Sequence, residues 1–425
     1  MIKNMENNII NRHDNACNLV AVSLAISPIL DPYVLSTSGI LSSIHIMDII
    51  SIICIVYAVV ANKMKLKIKM EYKDLFTIIL FTLLLSLISF SNRSAGEDGR
   101  SLSVAFRNII AWTFYSIEVW LLWSNNSFQK FMEYAKNICV FATVILFYQY
   151  ISSMLGVKPW NGQIPIFPLS EYDTFGGQKL SVRARSVFQE PSYYGIYAVP
   201  NLLYSIKKKR YPVAAFIGAG ILVSTSMLSI ITSIILVPAL LIVNKGDLNY
   251  KNLVSRIAKV LSVVFSIVIL IIILYNTSNW VNQSISYIIN RYNNMFSNLN
   301  TSYMNTSRYR ITGYSYRFSE YSDFFKTVGV GANQYARFLN IKVNYSNNFV
   351  TILLDYGIIG EILWIIWNVV MFKRIKKENR FFLAFFIIVS ALDKMWFNWY
   401  FFYLITWFID KENNDGIKHT ILEET

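Results

Sequence analysis

Three stretches of this sequence combine arginine, carboxylate and amide side chains that could act on an anionic ligand. The first reads Arg183-Ala-Arg185-Ser-Val-Phe-Gln-Glu190-Pro-Ser192. The proline favours the start of a helix, because its missing N–H costs nothing in the first turn, and helix N-termini attract anions. Glu190 could therefore be a general base held beside two arginines, or only their salt-bridge partner in an ion pair that anchors the helix.

The second stretch is richer in arginine. It reads Ser307-Arg308-Tyr-Arg310, then Arg317-Phe-Ser-Glu320-Tyr-Ser-Asp323, then Gly329-Val-Gly331. Aromatic and polar side chains alternate at helical spacing over 314–327, which predicts an amphipathic surface helix with Arg310, Arg317 and Glu320 towards one side. The pattern also fits a solvated interfacial helix whose arginines reach lipid phosphates. The two glycines are too close together to define a phosphate loop by themselves.

The third stretch is rich in asparagine. It reads Asn344-Tyr-Ser-Asn347-Asn348-Phe and continues to Asp355-Tyr-Gly357-Ile-Ile-Gly360-Glu361. Asn347 and Asn348 are expected to cap the helix that follows, and capping alone explains asparagine at this place. Three aromatic residues near the first stretch could stack on sugar faces, although tryptophan and tyrosine also collect at membrane interfaces. They are Trp160, Tyr193 and Tyr194.

The composition places these stretches in a membrane protein. Of the 425 residues, 54% are hydrophobic and 15% are charged, whereas soluble proteins carry about 25% charged residues. Apolar runs near the roughly 20 residues that cross a bilayer recur along the chain. They predict an all-α polytopic membrane protein of about twelve transmembrane helices with two long periplasmic loops. The predicted spans are 19–38, 42–61, 75–91, 104–123, 137–155, 191–206, 211–226, 227–243, 257–275, 347–372, 381–396 and 397–410.

Two of the apolar runs have ambiguous boundaries. The run 211–243 is too long for one untilted span, and a split at Ser224-Thr225-Ser226 is predicted. The run 381–409 contains Asp393-Lys394. Those charges would be costly facing lipid, which favours a turn or a buried pair there over a straight helix.

The basic residues predict the orientation. Loops 62–73, 124–136, 207–210, 244–256 and 373–380 hold 15 Lys and 4 Arg in 50 residues, whereas loops 92–103, 156–190 and 276–346 hold 4 Lys and 9 Arg in 118. The first set is predicted to be cytoplasmic, since cytoplasmic loops are enriched in basic residues. The outer set favours arginine, whose planar fork grips phosphate or carboxylate through two hydrogen bonds. This bias suggests that the outer loops bind an anion.

The predicted layout follows from the spans and their orientation. It comprises a cytoplasmic tail (1–18), helices 1–5 (19–155), a periplasmic loop (156–190), helices 6–9 (191–275), a large periplasmic loop (276–346), helices 10–12 (347–410) and a second cytoplasmic tail (411–425). The polar N-terminus has no small-residue cleavage site after the first apolar run, so no removable signal peptide is predicted.

Other functional classes are disfavoured. The net charge of +14 sits in short clusters between apolar runs, so topology explains it and no nucleic acid partner is expected. The three cysteines, Cys17, Cys54 and Cys139, are too far apart for a disulfide framework or a metal site. The outer carboxylates have no spacing that compels a metal ion, so neither a metal nor another cofactor is predicted.

The order of the motifs resembles a known family. An arginine before Phe-x-Glu-Pro-Ser, arginines before Gly-Val-Gly, and Asn-Asn-Phe before Gly-Ile-Ile-Gly resemble the Wzy-type O-antigen polymerases and related O-antigen ligases over about 183–361. The resemblance implies a GT-C-like architecture and glycosyl transfer at the periplasmic face of the bacterial inner membrane. A growing glycan would leave its undecaprenyl pyrophosphate and join a sugar hydroxyl on another lipid-linked repeat unit. The implied partners are this lipid-linked oligosaccharide as donor and acceptor, the lipid bilayer and a polysaccharide chain-length regulator.

The resemblance also implies residue roles. Outer-facing arginines are assigned to the pyrophosphate in this family, and Arg185 matches the arginine before the first motif. Three arginines precede Gly-Val-Gly, of which Arg310 fits the family spacing best. Arg185 and Arg310 are thus the expected catalytic cations, and Glu190 is the expected base for the acceptor hydroxyl. The expected substrate-binding residues are Arg183, Arg308, Arg317, Tyr193, Tyr194, Asn347 and Asn348.

An O-antigen ligase is one alternative. The ligase branch carries a histidine where this chain reads Asn347-Asn348. The three histidines of the chain, His13, His45 and His419, all lie outside the predicted outer loops. Both features favour the polymerase.

A flippase or another transporter of lipid-linked oligosaccharide is the second alternative. A flippase is expected to place cations within its spans, which here contain only Arg107, Lys259 and Lys394. His45 and Asp48 in the second span and Glu118 in the fourth are polar groups of a kind that is often functional in membranes. A proton path through them would indicate a transporter, but we favour mutual hydrogen bonding inside the bundle.

Overall fold

The structure is a computed structural model that describes residues 2–36, 44–61, 100–124, 127–169, 183–243, 314–341, 346–396 and 398–409, with a few positions between 276 and 290. The described part is helical apart from two isolated bridges, which confirms the all-α class. Two of its helices are long and apolar enough to cross a membrane, so twelve transmembrane helices are not confirmed. The predicted spans 75–91 and 257–275 lie outside the described residues.

A helix is found at each predicted span that lies within the described residues, and two short helices lie in the predicted large loop. The helices are α1 (Ile2–Leu30), α2 (Ile46–Val56, extended by a π-helical turn Tyr57–Ala61), α3 (Arg100–Ser124), α4 (Phe128–Met154), α5 (Pro191–Lys207), α6 (Tyr211–Ser224), α7 (Met227–Val243), α8 (Asp323–Val328), α9 (Tyr335–Phe338), α10 (Asn348–Arg374), α11 (Arg380–Leu392) and α12 (Trp399–Phe408). One difference is that α1 begins at Ile2, inside the segment 1–18 that the sequence suggested as a tail.

Both predicted breaks in the long apolar runs are confirmed. Helix α6 ends at Ser224, and Thr225 adopts a left-handed conformation with φ of 53°, which stops the helix before α7 begins. Helix α11 ends at Leu392 and α12 begins at Trp399. The charged pair Asp393-Lys394 therefore lies in the connection and not within a helix. The side chain of Asn398 caps α12 by accepting the N–H of Phe401 at 3.0 Å.

The bundle is built around α12 and α5. Every residue of α12 is buried, and its aromatic rings pack against those of α3, α4, α10 and α11. The long helices α4 and α10 behave differently, because each presents a stripe of large apolar side chains to the outside. These exposed side chains include Phe141, Val144, Tyr148 and Ile151 on α4 and Ile358, Ile362, Ile365 and Ile366 on α10. Such contiguous apolar surface is what a lipid environment accommodates.

The segment 314–341, which was predicted to lie in an outer loop, packs on α10 through its own apolar cluster. The cluster consists of Tyr314, Tyr321, Val330, Tyr335, Leu339, Val350 and Leu354. The prediction of one amphipathic helix over 314–327 is wrong, because a 3₁₀ helix spans Ser315–Glu320 and α8 starts only at Asp323. The hydroxyl of Ser322 accepts the N–H of Phe325 and so starts a new helix.

Candidate functional site

The first motif forms a rigid loop at the N-terminal end of α5. Arg183 and Arg185 are almost completely buried, with 8% and 5% of their surface exposed. Ser186 between them and the helix has a φ of 61°, a left-handed conformation that is rare for serine. Its hydroxyl donates to the carbonyl of Ala142 on α4 at 2.6 Å. A conformation of this kind persists only where the surroundings fix it.

Gln149 on α4 is the residue that fixes this loop. Its Oε1 accepts the N–H groups of Arg185 at 3.2 Å and Ser186 at 2.8 Å. Its Nε2 donates to the carbonyls of Ser186 at 2.8 Å and Trp160 at 3.1 Å. The side chain is fully buried, and its amide hydrogen-bonds both the segment that follows α4 and the segment that precedes α5. Gln149 is not among the residues predicted from the sequence, although a glutamine in an apolar helix is a signal that points to a functional or structural role.

The guanidinium of Arg185 lies beneath the loop that follows α4. Nε donates to the carbonyl of Asn161 at 3.3 Å, and Nη1 lies 3.5 Å from the carbonyl of Gln189. Burial lowers the pKa of Arg185, and the charge of Glu190 opposes this shift. The loop comes so close that a Cβ at Gly162 would overlap the carbonyl of Ser186. The cation is thus held by neutral carbonyls with a carboxylate in its field.

Glu190 is the exposed member of this site. It is the residue immediately before α5, with extended backbone, and Pro191 occupies the first helical position as predicted. The hydroxyl of Ser192 donates to its Oε2 at 3.0 Å. An exposed carboxylate whose charge acts on a buried guanidinium can accept a hydrogen bond from a ligand hydroxyl while the guanidinium binds an anion.

The two tyrosines after Glu190 differ in what they can do. Tyr193 is half-buried, and its ring stacks on that of Tyr400 with 4.9 Å between centroids. Tyr194 is fully buried, and its hydroxyl is 2.9 Å from that of Thr143. Because the ring of Tyr194 is buried in the core, no face of it is exposed to a sugar. The expectation that Tyr194 binds the substrate is therefore corrected. Trp160 remains 41% exposed on the outer loop.

The second motif is only partly described, since Arg308 and Arg310 lie outside the described residues. Arg317 pairs with Glu320 through Nε to Oε1 and Nη2 to Oε2, both at 2.7 Å. Its Nη1 donates to the carbonyl of Leu339. The ion pair raises the pKa of Arg317 and lowers that of Glu320. Arg317 and Glu320 therefore do share one side, as predicted, and they use that proximity to bind each other.

The asparagines of the third motif are structural in this arrangement. Asn347 caps α10, its Oδ1 accepting the N–H of Val350 at 2.9 Å, which confirms the predicted cap. Asn348 is fully buried. Its Nδ2 donates to the hydroxyl of Ser390 at 3.1 Å, and its Oδ1 accepts the N–H of Met395 at 2.7 Å. It therefore ties the start of α10 to the connection between α11 and α12, a role that capping alone does not describe.

The Gly-Val-Gly segment docks on a kink in α10. Gly357 has a φ of 68° inside the helix, and a Cβ there would overlap the carbonyl of Thr327. A Cβ at Gly329 would likewise overlap the carbonyl of Asp355. The glycines thus permit two backbones to touch. They do not form a phosphate loop.

Asp355, which was not among the predicted site residues, holds the turn that follows Gly331. Its carboxylate accepts the N–H groups of Asn333, Gln334 and Tyr335 at 2.9, 3.0 and 3.1 Å. The ammonium of Lys394 donates to the side-chain oxygen of Asn333 at 2.8 Å. These hydrogen bonds join the segment 314–341, α10 and the connection between α11 and α12 in one network.

The polar groups of the second and fourth predicted spans have hydrogen-bond partners within the bundle. Asp48 accepts the backbone N–H of His45 at 2.9 Å, and Glu118 accepts the hydroxyl of Ser23 at 2.8 Å. His45 lies at the N-cap of α2 and not within the helix, because α2 starts at Ile46, four residues after the predicted start of the span at 42.

Comparison of the chain with models of known protein families, with curated proteins and with solved structures finds no match. The geometry of the site therefore carries the functional argument.

Proposed function

We propose that this chain is a membrane-embedded glycosyltransferase of the O-antigen polymerase type. In this proposal it joins undecaprenyl-pyrophosphate-linked repeat units of a surface polysaccharide at the periplasmic face of the inner membrane. The observation that supports it best is that buried Arg185 lies in the electrostatic field of exposed Glu190 at the N-terminus of α5. That pairing supplies a cation for an anionic leaving group beside a carboxylate for a neutral hydroxyl.

The proposed reaction needs those two functions. The bond between the sugar anomeric carbon and the pyrophosphate breaks, so negative charge grows on the phosphate oxygens and requires cationic stabilisation. Arg185 supplies it in this proposal, with Arg310 as the second cation and Arg183, Arg308 and Arg317 as further contacts. The acceptor hydroxyl must be oriented and must lose its proton. Glu190 contacts that hydroxyl, and Tyr193 and Trp160 lie beside it.

The membrane orientation is part of the proposal. Glu133, near the start of α4, accepts hydrogen bonds from Arg210 at 2.6 Å and Tyr204 at 2.7 Å. Gln149 is 16 residues further along the same helix, or about 24 Å at 1.5 Å per residue. The lysine-rich end of the bundle and the Arg185 site are therefore at opposite ends of α4. Twelve spans with the lysine-rich end in the cytoplasm would place this site in the periplasm.

The glycolipids of cells lacking this chain test the proposal. A polymerase deletion should leave single repeat units that are still transported and attached to the lipid core, and the parent gene should restore a ladder of longer chains. Complete loss of attached repeats would contradict the proposal and indicate a ligase. Accumulation of repeats on the cytoplasmic side would contradict it in favour of a flippase.

One observation favours the transporter as the second candidate. Arg107 on α3 lies 3.8 Å from Asp31, which follows α1, and 4.0 Å from Asp48 on α2, so three charged side chains meet here. Charged clusters within membrane bundles often mark transport pathways. The deletion phenotype separates this candidate from the polymerase.

A further inference from the structure

His45 forms a dyad with Asp31 at the end of the bundle where the first motif lies. The Nδ1 atom of His45 hydrogen-bonds the backbone carbonyl oxygen of Asp31 and lies 3.5 Å from its Oδ1. A carbonyl oxygen can only accept, so Nδ1 carries the proton. In the neutral imidazole, Nε2 then holds the lone pair, as in a general base.

The Nε2 atom is available to a ligand. The imidazole is 16% exposed, and within the described residues Nε2 has no hydrogen-bond partner. The ring is anchored from the other side, because His45 forms a bridge with Val34 and its N–H donates to Asp48 at 2.9 Å. An imidazole fixed through Nδ1 with an accessible Nε2 is preorganised to take up a proton.

The charged groups that face the dyad come from three helices. Asp31 immediately follows α1, Asp48 lies in the first turn of α2, and Arg107 of α3 is within 4.0 Å of both carboxylates. From α12, the backbone N–H of Trp399 donates to Oδ1 of Asp31 at 3.3 Å. The carboxylate of Asp31 is therefore held in place by an arginine and an amide while it faces the imidazole.

A chain of contacts joins this dyad to Glu190. Trp399, which hydrogen-bonds Asp31, is followed by Tyr400, whose ring stacks on Tyr193 three residues after Glu190. A second route passes through Tyr33, whose hydroxyl accepts the N–H of Ile164 in the loop that covers Arg185. The dyad and the first motif thus belong to the same end of the bundle.

We propose that His45 is the proton acceptor of the glycosyl transfer and that Asp31 is its positioning residue. This inference rests on the proposed function. The acceptor hydroxyl oxygen forms the new bond to the anomeric carbon, and its proton moves to Nε2 of His45. The bond from that carbon to the pyrophosphate breaks, and undecaprenyl pyrophosphate leaves with the electron pair. Water then removes the proton from the imidazolium. Glu190 orients the hydroxyl in this scheme.

The His45→Asn substitution tests the role with little structural change. Asparagine is among the best N-cap residues, so α2 should still start correctly, but the amide cannot take up a proton. His13→Asn is the matched control, because His13 lies 18 residues before Asp31 on α1, about 27 Å away along the helix. Purified proteins would be reconstituted with a lipid extract of cells lacking the chain, which contains the lipid-linked repeat unit.

We expect His45→Asn to lower the elongation rate by about 100- to 10,000-fold, the usual contribution of general base catalysis. The residual rate should no longer fall as the medium is acidified, whereas the rate of His13→Asn should keep the parental size and pH dependence. A parental rate in His45→Asn, or a low rate that keeps the parental acid dependence, would overturn the inference. Failure of the parent protein itself to elongate would instead reject the proposed function.

Discussion

Gln149→Leu should unfold the loop that holds Arg185 while leaving the helix around it intact. Leucine has nearly the same size as glutamine and a high helix propensity, so α4 should form normally. The substitution removes all four hydrogen bonds of the fully buried amide, two to N–H groups and two to carbonyls. The chemistry of Arg185 should be lost together with its position.

The expected size of the effect follows from the groups left behind. The N–H groups of Arg185 and Ser186 and the carbonyl of Ser186 would be buried without these partners, and each such group costs about 1–3 kcal/mol. The carbonyl of Trp160 belongs to a residue that is 41% exposed, so water can replace its partner. Allowing for some water entry elsewhere, we expect the free energy of unfolding to fall by about 3–5 kcal/mol.

Thermal unfolding of the detergent-solubilised protein and the glycolipid ladder of complemented cells measure the two consequences. Gln129→Leu is the control, because it makes the same change at an exposed position of α4. We expect a lowered melting temperature and a lost ladder for Gln149→Leu, and parental behaviour for Gln129→Leu. Equal melting temperatures for Gln149→Leu and the parent would refute the argument that this amide holds the loop.

Three further predictions concern the chemistry, the kink and the orientation. Arg185→Lys should abolish long chains at normal protein levels, because an ammonium cannot bridge two phosphate oxygens, whereas Lys158→Ala should be tolerated; normal ladders in both would reject the site. Gly357→Ala should destabilise the protein more than Gly156→Ala in a melting assay, since both have positive φ but only Gly357 touches another backbone. Single cysteines in place of Lys158 and Lys208 should be labelled by an impermeant reagent only at 158, since the proposed orientation puts 158 in the periplasm and 208 in the cytoplasm. The native cysteines are buried and should add no background.

Local sequence signals predicted the ends of several helices. Pro191 begins α5, the Ser224-Thr225-Ser226 break separates α6 from α7, and Asn347 caps α10. In each case the residue acts on its own backbone or on the next turn, so the neighbouring sequence contains the whole interaction. Predictions of this kind needed no knowledge of the tertiary structure.

The contacts that build the site are of a different kind. Gln149 binds residues up to 37 positions away, and Asp355 binds backbone groups about 20 positions before it. No local pattern specifies such pairs, because they depend on how α4 and α10 approach the outer loops. Tyr194 illustrates the same limit, since adjacent positions on a helix face different directions and Tyr193 alone remains near the surface.

The arginines that enrich the predicted outer loops do not all have the same role. The guanidinium of Arg317 hydrogen-bonds the carboxylate of Glu320 at 2.7 Å and the carbonyl of Leu339. A phosphate would therefore have to displace a charged partner. Arg185 instead contacts neutral carbonyls at 3.3 and 3.5 Å. Hydrogen bonds to neutral acceptors at such lengths are weaker than those to an anion, so a pyrophosphate oxygen can compete with them. Arg317 therefore has a structural role in holding Glu320 and the end of α9, and Arg185 is the arginine to which the proposal gives the pyrophosphate.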